Sequence, residues 1–319
     1  MTTSPPTENQ SVVTYSSVPI STLHCGDKIP FSLYAQIQGN YLLQHREGAE
    51  WTEDKAGQLQ SAGTNELWIL SVALDNYLAY LQRWNSSILE DPNYSLGERI
   101  GLCYKTGTVT TREAITNPTS NSAYEAFEYS MEVAVQLLEK YKFSFSAVRD
   151  VFEQAPTLFS HSMQVCLYGL LLGRAVGYRP LPHLGMALAF HDAGKLDLPR
   201  GIFEKEGSLT SDEWQLAKSH AGLGVNRAKL ATRLPAVARD VIQNHHERMD
   251  GSGYPRGLDA TQLTVASRIA AIVNTFDSRT CHRPYREARR SIEVAKDMLA
   301  QGPAFDTELM HTFVRLLAT

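Results

Sequence analysis

The first quarter of the chain alternates between strand-like and helix-like patterns of hydrophobic residues. These patterns predict, in order, a strand at 31–37, a strand at 40–45, a helix at 52–62, a strand at 65–72 and a helix at 75–84. Gln38 and Gly39 form a predicted turn between the first two strands, and Thr52 is a suitable N-cap for the first helix. Together these elements predict a small α+β domain over residues 16–85.

The rest of the chain is predicted to be largely helical. Residues 1–15 are polar and rich in Pro, Ser and Thr, which indicates a flexible arm, and turn signals in 86–121 indicate a linker with some helix. Helices are predicted at 123–142, 146–155, 157–176, 183–192, 211–232, 235–247, 262–280, 286–301 and 306–318. Thr210 and Glu213 have the spacing of a capping box. The predicted fold is mainly α, with an all-helical bundle over 122–319 after the α+β domain.

The composition excludes some classes of function but does not identify one. The 319 residues carry 30 basic and 34 acidic side chains, and the net charge of −4 argues against a nucleic-acid coat or a polybasic membrane binder. The first residues lack the segments of a signal peptide, and the apolar stretch near 162–177 is too short to span a bilayer. Four scattered cysteines favour a reducing compartment over a disulfide framework. We expect a cytoplasmic protein that neither binds DNA nor inserts into a membrane.

Histidines provide the main candidate chemistry. Six of the ten fall within one part of the second half, namely His161, His183, His191, His220, His245 and His246. Two positions are doublets, His191-Asp192 and His245-His246, whose members diverge by about 100° on a helix. A doublet therefore suits two neighbouring metals better than one, with Asp192 as a bridge. Imidazole and carboxylate ligands favour zinc, manganese or iron, and the lack of nearby cysteine disfavours a closed structural zinc site.

Each histidine also has an ordinary structural explanation. An isolated histidine on a helix is usually structural or exposed to solvent, and we expect this of His183, His282 and His311. The His191-Asp192 doublet differs because it ends an apolar stretch, which places it at the rim of a core. Together with the histidines on successive helices, this position indicates a site.

Four separated motifs resemble those of the HD-GYP domain family. They are HDAGK at 191–195, HAGLG at 220–224, which is similar to HPxxG, HHERMDGSGYPRG at 245–257 and RPYR at 283–286. Their order and the length of the third motif make the resemblance specific, and it covers residues 125–319. It implies an all-helical HD bundle and a metal-dependent phosphodiesterase that hydrolyses cyclic di-GMP or a related cyclic dinucleotide.

The resemblance implies two divalent ions, with iron as the first expectation and manganese or another transition metal as alternatives. The motif match assigns His161 and His191 to the first ion, His220, His245 and His246 to the second, and Asp192 to a bridge between them. Two such ions about 3.5–4 Å apart can lower the pKa of a shared water and hold a phosphodiester for in-line attack. Asp192 and Lys195 are the expected catalytic residues, with Lys195 as a point charge for phosphate oxygens.

Further residues are expected to bind the substrate together with Lys195. By the resemblance, Tyr254 stacks on a base or hydrogen-bonds phosphate, and the forked guanidinium groups of Arg283 and Arg286 suit a dianionic nucleotide. The loop at 250–255 is also a good turn in its own right, since it is rich in glycine. The resemblance further implies this GYP loop as a surface for other signalling proteins.

Two positions depart from the family pattern. Thr157 stands where a glutamate often precedes the first histidine ligand, so we expect two ions at most. Asn274 stands where an aspartate ligand is expected, and its amide oxygen carries no negative charge, so we expect weaker binding of the first ion. Asp277 lies three residues later on the same helical side, and compensation for Asn274 is one interpretation of it. A helix cap, or a partner for Arg279 or Arg283, is the favoured interpretation of Asp277.

Three functions stay open at this point. An active dinuclear phosphodiesterase is favoured because the histidine and aspartate ligands, the lysine and the GYP loop are all present. A receptor or protein-interaction module that has lost turnover through Asn274 is the alternative, and it predicts nucleotide binding without product. Hydrolysis of a different phosphate ester is disfavoured by the GYP loop. Product detection and the substitution Asn274→Asp distinguish the first two functions.

Overall fold

The computed structural model describes residues 13–152, 156–282 and 288–319, and the chain divides into two compact units. The first unit ends at Leu81 and the second runs from Gln82 to Thr319. The described residues are mainly helical, with a small sheet in the first unit, so the predicted fold class is confirmed. No helix in this part of the chain is long and apolar enough to cross a membrane.

An antiparallel sheet of four strands forms the centre of the first unit. The strand order is β1-β4-β2-β3, with β1 at Tyr15–Pro19, β2 at Leu33–Ile37, β3 at Asn40–His45 and β4 at Glu66–Leu70, and helix α1 runs over Glu53–Ser61. Gln38 and Gly39 form the predicted turn, and both have positive φ, as a tight two-residue hairpin requires. Thr52 is the N-cap of α1, and its side-chain oxygen accepts a hydrogen bond from the backbone N–H of Lys55.

Strand β1 extends into the segment that was predicted to be a flexible arm. Residues 1–12 of that arm lie outside the described residues. Val18 is the one fully buried residue of β1, so the strand lacks a clear alternating pattern. It pairs with β4 along its length, from Tyr15 opposite Leu70 to Pro19 opposite Glu66. Backbone pairing with a distant strand stabilises β1, and a local hydrophobic pattern does not contain that information.

Helices make up the second unit, and α2 begins in the first unit. Their bounds are α2 Leu74–Glu90, α3 Leu96–Thr116, α4 Asn121–Tyr141, α5 Phe145–Arg149, α6 Leu158–Ala175, α7 Leu181–Ala189, α8 Gly201–Glu204, α9 Ser211–Lys218, α10 His220–Leu230, α11 Ala236–Asn244, α12 Val265–Thr280, α13 Ser291–Ala300 and α14 Thr307–Leu317. A short 3-10 segment, Ala193–Asp197, follows α7. The predicted capping box of Thr210 and Glu213 is present at the start of α9.

Helix α3 occupies much of the stretch that was predicted to be a linker with some helix. Its buried face carries Thr106 and Thr110, so the hydrophobic pattern is weak. The hydroxyl of Thr106 donates to Asn85 Oδ1 at 2.7 Å, and that of Thr110 donates to Ser130 Oγ at 3.1 Å. These partners satisfy the buried hydroxyl groups, and they come from other helices. The helix is therefore stabilised by tertiary contacts that the local pattern does not show.

Three helices end earlier than the sequence pattern predicts, and these ends shape the site. Helix α7 ends at Ala189 instead of 192, α11 ends at Asn244 instead of 247, and the predicted helix at 211–232 is divided at Ser219 into α9 and α10. Each of three candidate ligands therefore follows the C-terminal end of a helix, namely His191 after α7, His220 after α9 and His245 after α11. The C-terminal carbonyl groups of a helix lack partners within that helix and can accept other hydrogen bonds.

Candidate metal centre

Six of the predicted metal ligands lie together in the second unit. They form two sets that share Asp192, one of His161, His191 and Asp192 and the other of Asp192, His220, His245 and His246. Within each set the potential ligand atoms lie within 4.8 Å of one another. We call these six residues the histidine–aspartate cluster. The other histidines of the helical unit, His183, His282 and His311, are exposed and lie outside it.

The two carboxylate oxygens of Asp192 face different sets of histidines. Oδ2 lies 3.5 Å from His161 Nε2 and 3.3 Å from His191 Nε2. Oδ1 lies 3.4 Å from His220 Nε2 and 3.6 Å from His245 Nε2. One buried carboxylate can therefore serve two neighbouring cations, one through each oxygen.

Helix C-terminal carbonyls orient three of the rings. The Nδ1–H of each ring donates to a carbonyl three residues earlier, at 2.7 Å from His191 to Leu188, 2.6 Å from His220 to Ala217 and 2.9 Å from His245 to Ile242. Because Nδ1 carries the proton in this network, Nε2 presents a lone pair toward Asp192. Metal-binding histidines characteristically use their second nitrogen in this way.

An aspartate orients the fourth ring, that of His161. Asp277 Oδ2 lies 2.6 Å from His161 Nδ1, and both side chains are buried. Asp277 Oδ1 lies 3.8 Å from the thiol of Cys281, which donates toward it. The interpretation of Asp277 as a cap or an arginine partner therefore missed its contact with His161. Its position on α12, three residues after Asn274, was the available signal.

The donor atoms of the cluster fit a divalent cation. The Nε2 atoms of His220 and His245 lie 3.1 Å apart, and with both Nδ1 atoms protonated their lone pairs face each other. Such an arrangement is repulsive unless a cation or proton lies between the two nitrogens. Asp192 Oδ1 is also buried and accepts no hydrogen bond from the described residues. Imidazole nitrogens with a carboxylate are the ligand set preferred by several transition metals.

Electrostatics keep the cluster in the protonation states that bind metal. Burial lowers the pKa of His220 to about 3, and burial also lowers the pKa values of His245 and His246. Burial alone would raise the pKa of Asp192, but neighbouring His191 and Lys195 outweigh this effect and hold it well below its ordinary value. The neutral imidazoles of His220, His245 and His246 therefore lie beside an ionised Asp192.

Two of the four predicted substrate-binding residues lie beside the cluster, and the other two fall outside the described part of the chain. Lys195 Nζ forms an ion pair with Asp192, and Tyr254 stacks on His246 with the ring centroids 4.5 Å apart. Arg283 and Arg286 lie outside the described residues. Asn274, which was predicted as a ligand of the first ion, is buried on α12, and its Oδ1 accepts a hydrogen bond from Ser278. The structure thus places Lys195 and Tyr254 directly against the cluster.

Glu247, which is not among the predicted site residues, holds the loop that carries Tyr254. Its buried carboxylate accepts hydrogen bonds from the backbone N–H of Arg256 at 2.7 Å and of Leu258 at 3.0 Å. Gly253 packs so closely that an added Cβ would lie 2.4 Å from Glu247 Cα. Glu247 and Gly253 therefore fix the loop backbone beside the cluster.

Several curated proteins are similar to about half of this chain. A cyclic di-GMP phosphodiesterase of Pseudomonas aeruginosa is 32% identical over 160 residues, which cover 49% of this chain and 38% of that protein. A 3'3'-cGAMP-specific phosphodiesterase of Vibrio cholerae is 32% identical over 158 residues, covering 48% of this chain and 30% of that protein. The chain therefore matches only about a third of the length of these relatives.

A family model described as HD domain matches residues 167–309, which include most of the cluster and the whole GYP signature. The helical unit therefore contains an HD domain. A solved HDG"Y"P protein from Bdellovibrio bacteriovorus has a similar fold, with a TM-score of 0.77 and 19% identity. That likeness covers 96% of this chain and 100% of the other, so the similar fold extends beyond residues 167–309.

Gly194 allows close contact between two parts of the candidate metal centre. An added Cβ would lie 2.0 Å from the carbonyl oxygen of His220 and 2.3 Å from the backbone nitrogen of Gly224. The 3-10 segment that follows His191-Asp192 therefore packs backbone to backbone against α10. No larger residue fits at position 194 without separating these elements.

We expect Gly194→Ala to destabilise the protein by about 1–3 kcal/mol, because overpacking a tight contact forces the backbone to move. Urea unfolding of the metal-free protein measures this loss. Gly222→Ala is the matched control, since Gly222 lies on α10, the helix that Gly194 contacts, and has no heavy atom within 4 Å of an added Cβ. Equal stability of the two variants would contradict the close-contact argument.

We also expect the metal-free protein to lose stability as the pH falls from about 6.5 toward about 3. The folded state holds His220, His245 and His246 neutral, whereas the unfolded chain binds protons below the ordinary histidine pKa of 6.5. The slope of the unfolding free energy against pH reports how many more protons the unfolded state binds than the folded state. His220→Asn should reduce that number by up to one. His311→Asn, which changes an exposed histidine, is the control, and an unchanged slope for His220→Asn would refute the prediction.

Proposed function

We propose that this protein is a metal-dependent phosphodiesterase that hydrolyses cyclic dinucleotides, with cyclic di-GMP as the first expected substrate. One observation carries the proposal, namely that Nε2 atoms of oriented imidazoles converge on the two oxygens of Asp192. The names of the relatives, which are phosphodiesterases for cyclic di-GMP and 3'3'-cGAMP, support the choice of substrate class.

Two divalent ions are proposed, with iron as the first candidate and manganese or another transition metal as alternatives. The residues proposed to bind the first ion are His161, His191 and Asn274, those for the second are His220, His245 and His246, and Asp192 is shared. This division is supported by the two sets of ligand atoms that share Asp192. Divalent ions held here would supply the Lewis-acid chemistry of phosphodiester hydrolysis.

The residues around the ions are proposed to hold the substrate and its charge. Lys195 lies beside Asp192 and is partly exposed, so its ammonium group can also attract phosphate oxygens. Asp192 stays ionised because nearby cationic and imidazole groups keep its pKa low. Tyr254 is proposed to contact the nucleotide, and Arg283 and Arg286 are proposed to pair with its phosphates. A cytoplasmic location is part of the proposal and is supported by four free cysteines.

Asn274 supports a second candidate function, that of a nucleotide receptor or protein-interaction module with weakened turnover. The Asn274 amide brings no negative charge to the first ion, and its oxygen already accepts a hydrogen bond from Ser278. Loss of one anionic ligand would reduce the affinity for the first ion. The receptor would bind cyclic dinucleotide, and its GYP loop would contact other signalling proteins.

Metal analysis paired with a product assay tests the proposed activity. Protein reconstituted without oxygen with iron, and separately with manganese, should convert cyclic di-GMP or 3'3'-cGAMP to linear or mononucleotide products. Asn274→Asp should bind the first ion more tightly and raise the rate severalfold, because it restores an anionic ligand. Two bound ions per chain without product over hours would refute the hydrolase and favour the receptor.

We expect Asp277→Ala to lower the affinity for one of the two ions by about 10- to 100-fold, because His161 loses the partner that orients its ring. Titration calorimetry with manganese should then show one weakened site and one unchanged site. Asp259→Ala is a control, since Asp259 lies in an exposed turn and hydrogen-bonds Thr261. Unchanged affinity at both sites in Asp277→Ala would show that the hydrogen bond to His161 has no role in metal binding.

A further inference from the structure

A set of aromatic and cationic side chains continues outward from the histidine–aspartate cluster. Tyr254 stacks on His246, and the ring of Trp214 meets Tyr254 edge to face, with centroids 5.8 Å apart. Lys218 Nζ lies 5.8 Å from the ring centroid of Trp214 and 6.0 Å from that of Tyr254. We call Trp214, Lys218 and Tyr254 the aromatic rim.

The aromatic rim is held at a fixed position relative to the cluster. Trp214, Ala217 and Lys218 are spaced three and four residues apart, so they share one face of α9. The carbonyl of Ala217 accepts the hydrogen bond that orients His220. One turn of helix α9 therefore positions both the ring of His220 and the aromatic rim.

Trp214 keeps 46% of its surface exposed although it is the largest apolar side chain of α9. A single exposed apolar residue needs no special explanation. Here, however, the exposed indole adjoins a tyrosine that stacks on a candidate ligand, and an ammonium group lies beside both rings. A ligand that suits this surface has a flat ring to stack and a negative charge to pair with Lys218. A nucleotide meets both requirements, since every base has a π-face.

We propose that Trp214 stacks on a base of the cyclic dinucleotide and that Lys218 pairs with its phosphate. This inference rests on the proposed function, because the cluster is where the phosphodiester would bind. Neither residue lies in the four motifs, so this base contact and this phosphate contact are additional to those assigned by the motifs. The indole and the ammonium group favour a substrate with a purine or pyrimidine base over a simple phosphate ester.

Trp214→Ala tests the stacking contact in the full-length, metal-loaded protein. Its affinity for a phosphorothioate analogue of cyclic di-GMP should fall about tenfold, since stacking on one base is lost. KM for cyclic di-GMP should rise by a similar factor while kcat changes less, because stacking holds the ground state and the transition state alike. Trp214→Phe should retain most of the affinity, since a phenyl ring also stacks.

Leu216→Ala is the matched control. Leu216 is 42% exposed on the same helix, two residues from Trp214 and therefore on a different face. It should leave affinity, KM and metal content unchanged. Metal content should also be unchanged in Trp214→Ala, which separates loss of a base contact from damage to the centre.

The outcomes separate this inference from the proposed function. Hydrolysis by the wild type with an unchanged KM in Trp214→Ala would overturn the stacking contact and leave the hydrolase intact. Binding by the wild type without hydrolysis would refute the hydrolase, and weaker binding by Trp214→Ala would still support the stacking contact. A wild-type protein that does not bind the analogue at all would overturn the stacking contact as well.

Discussion

The structure of this centre depends on one repeated interaction, in which the Nδ1–H of an imidazole donates to a fixed oxygen. Helix C-terminal carbonyls fill that role for His191, His220 and His245, and Asp277 fills it for His161. The outer hydrogen bond determines which nitrogen keeps the proton, so every Nε2 lone pair points inward. Helix C-terminal ends also carry partial negative charge, which favours a cation between them.

Close packing brings these hydrogen-bonded histidines together. At Gly169, on α6, an added Cβ would lie 2.1 Å from Leu188, whose carbonyl orients His191. At Gly194 the backbones of the 3-10 segment and α10 are in direct contact. The same contacts that exclude water from the core therefore set the distances within the cluster, and the low pKa of His220 follows from that burial.

The chemistry of the site is graded from its centre to its edge. Buried imidazoles and one carboxylate form the interior, Lys195 and Tyr254 stand against it, and Trp214 with Lys218 lies farther out. An interior that suits cations and a rim that suits bases and phosphates agree with the proposed cyclic dinucleotide substrate. This gradation links the proposed metal site to the proposed substrate.

Much of the fold and of the cluster followed from the sequence, because helical periodicity, turn residues and motif spacing are local properties of the chain. Most of the helices, the turn at Gln38 and Gly39, and the cluster residues could be named in advance. Tertiary structure decided the rest. Strand β1 depends on pairing with β4, α3 on buried hydroxyls that meet partners from other helices, and Asp277 on an imidazole 116 residues away. These depend on contacts between distant segments, which no local pattern specifies.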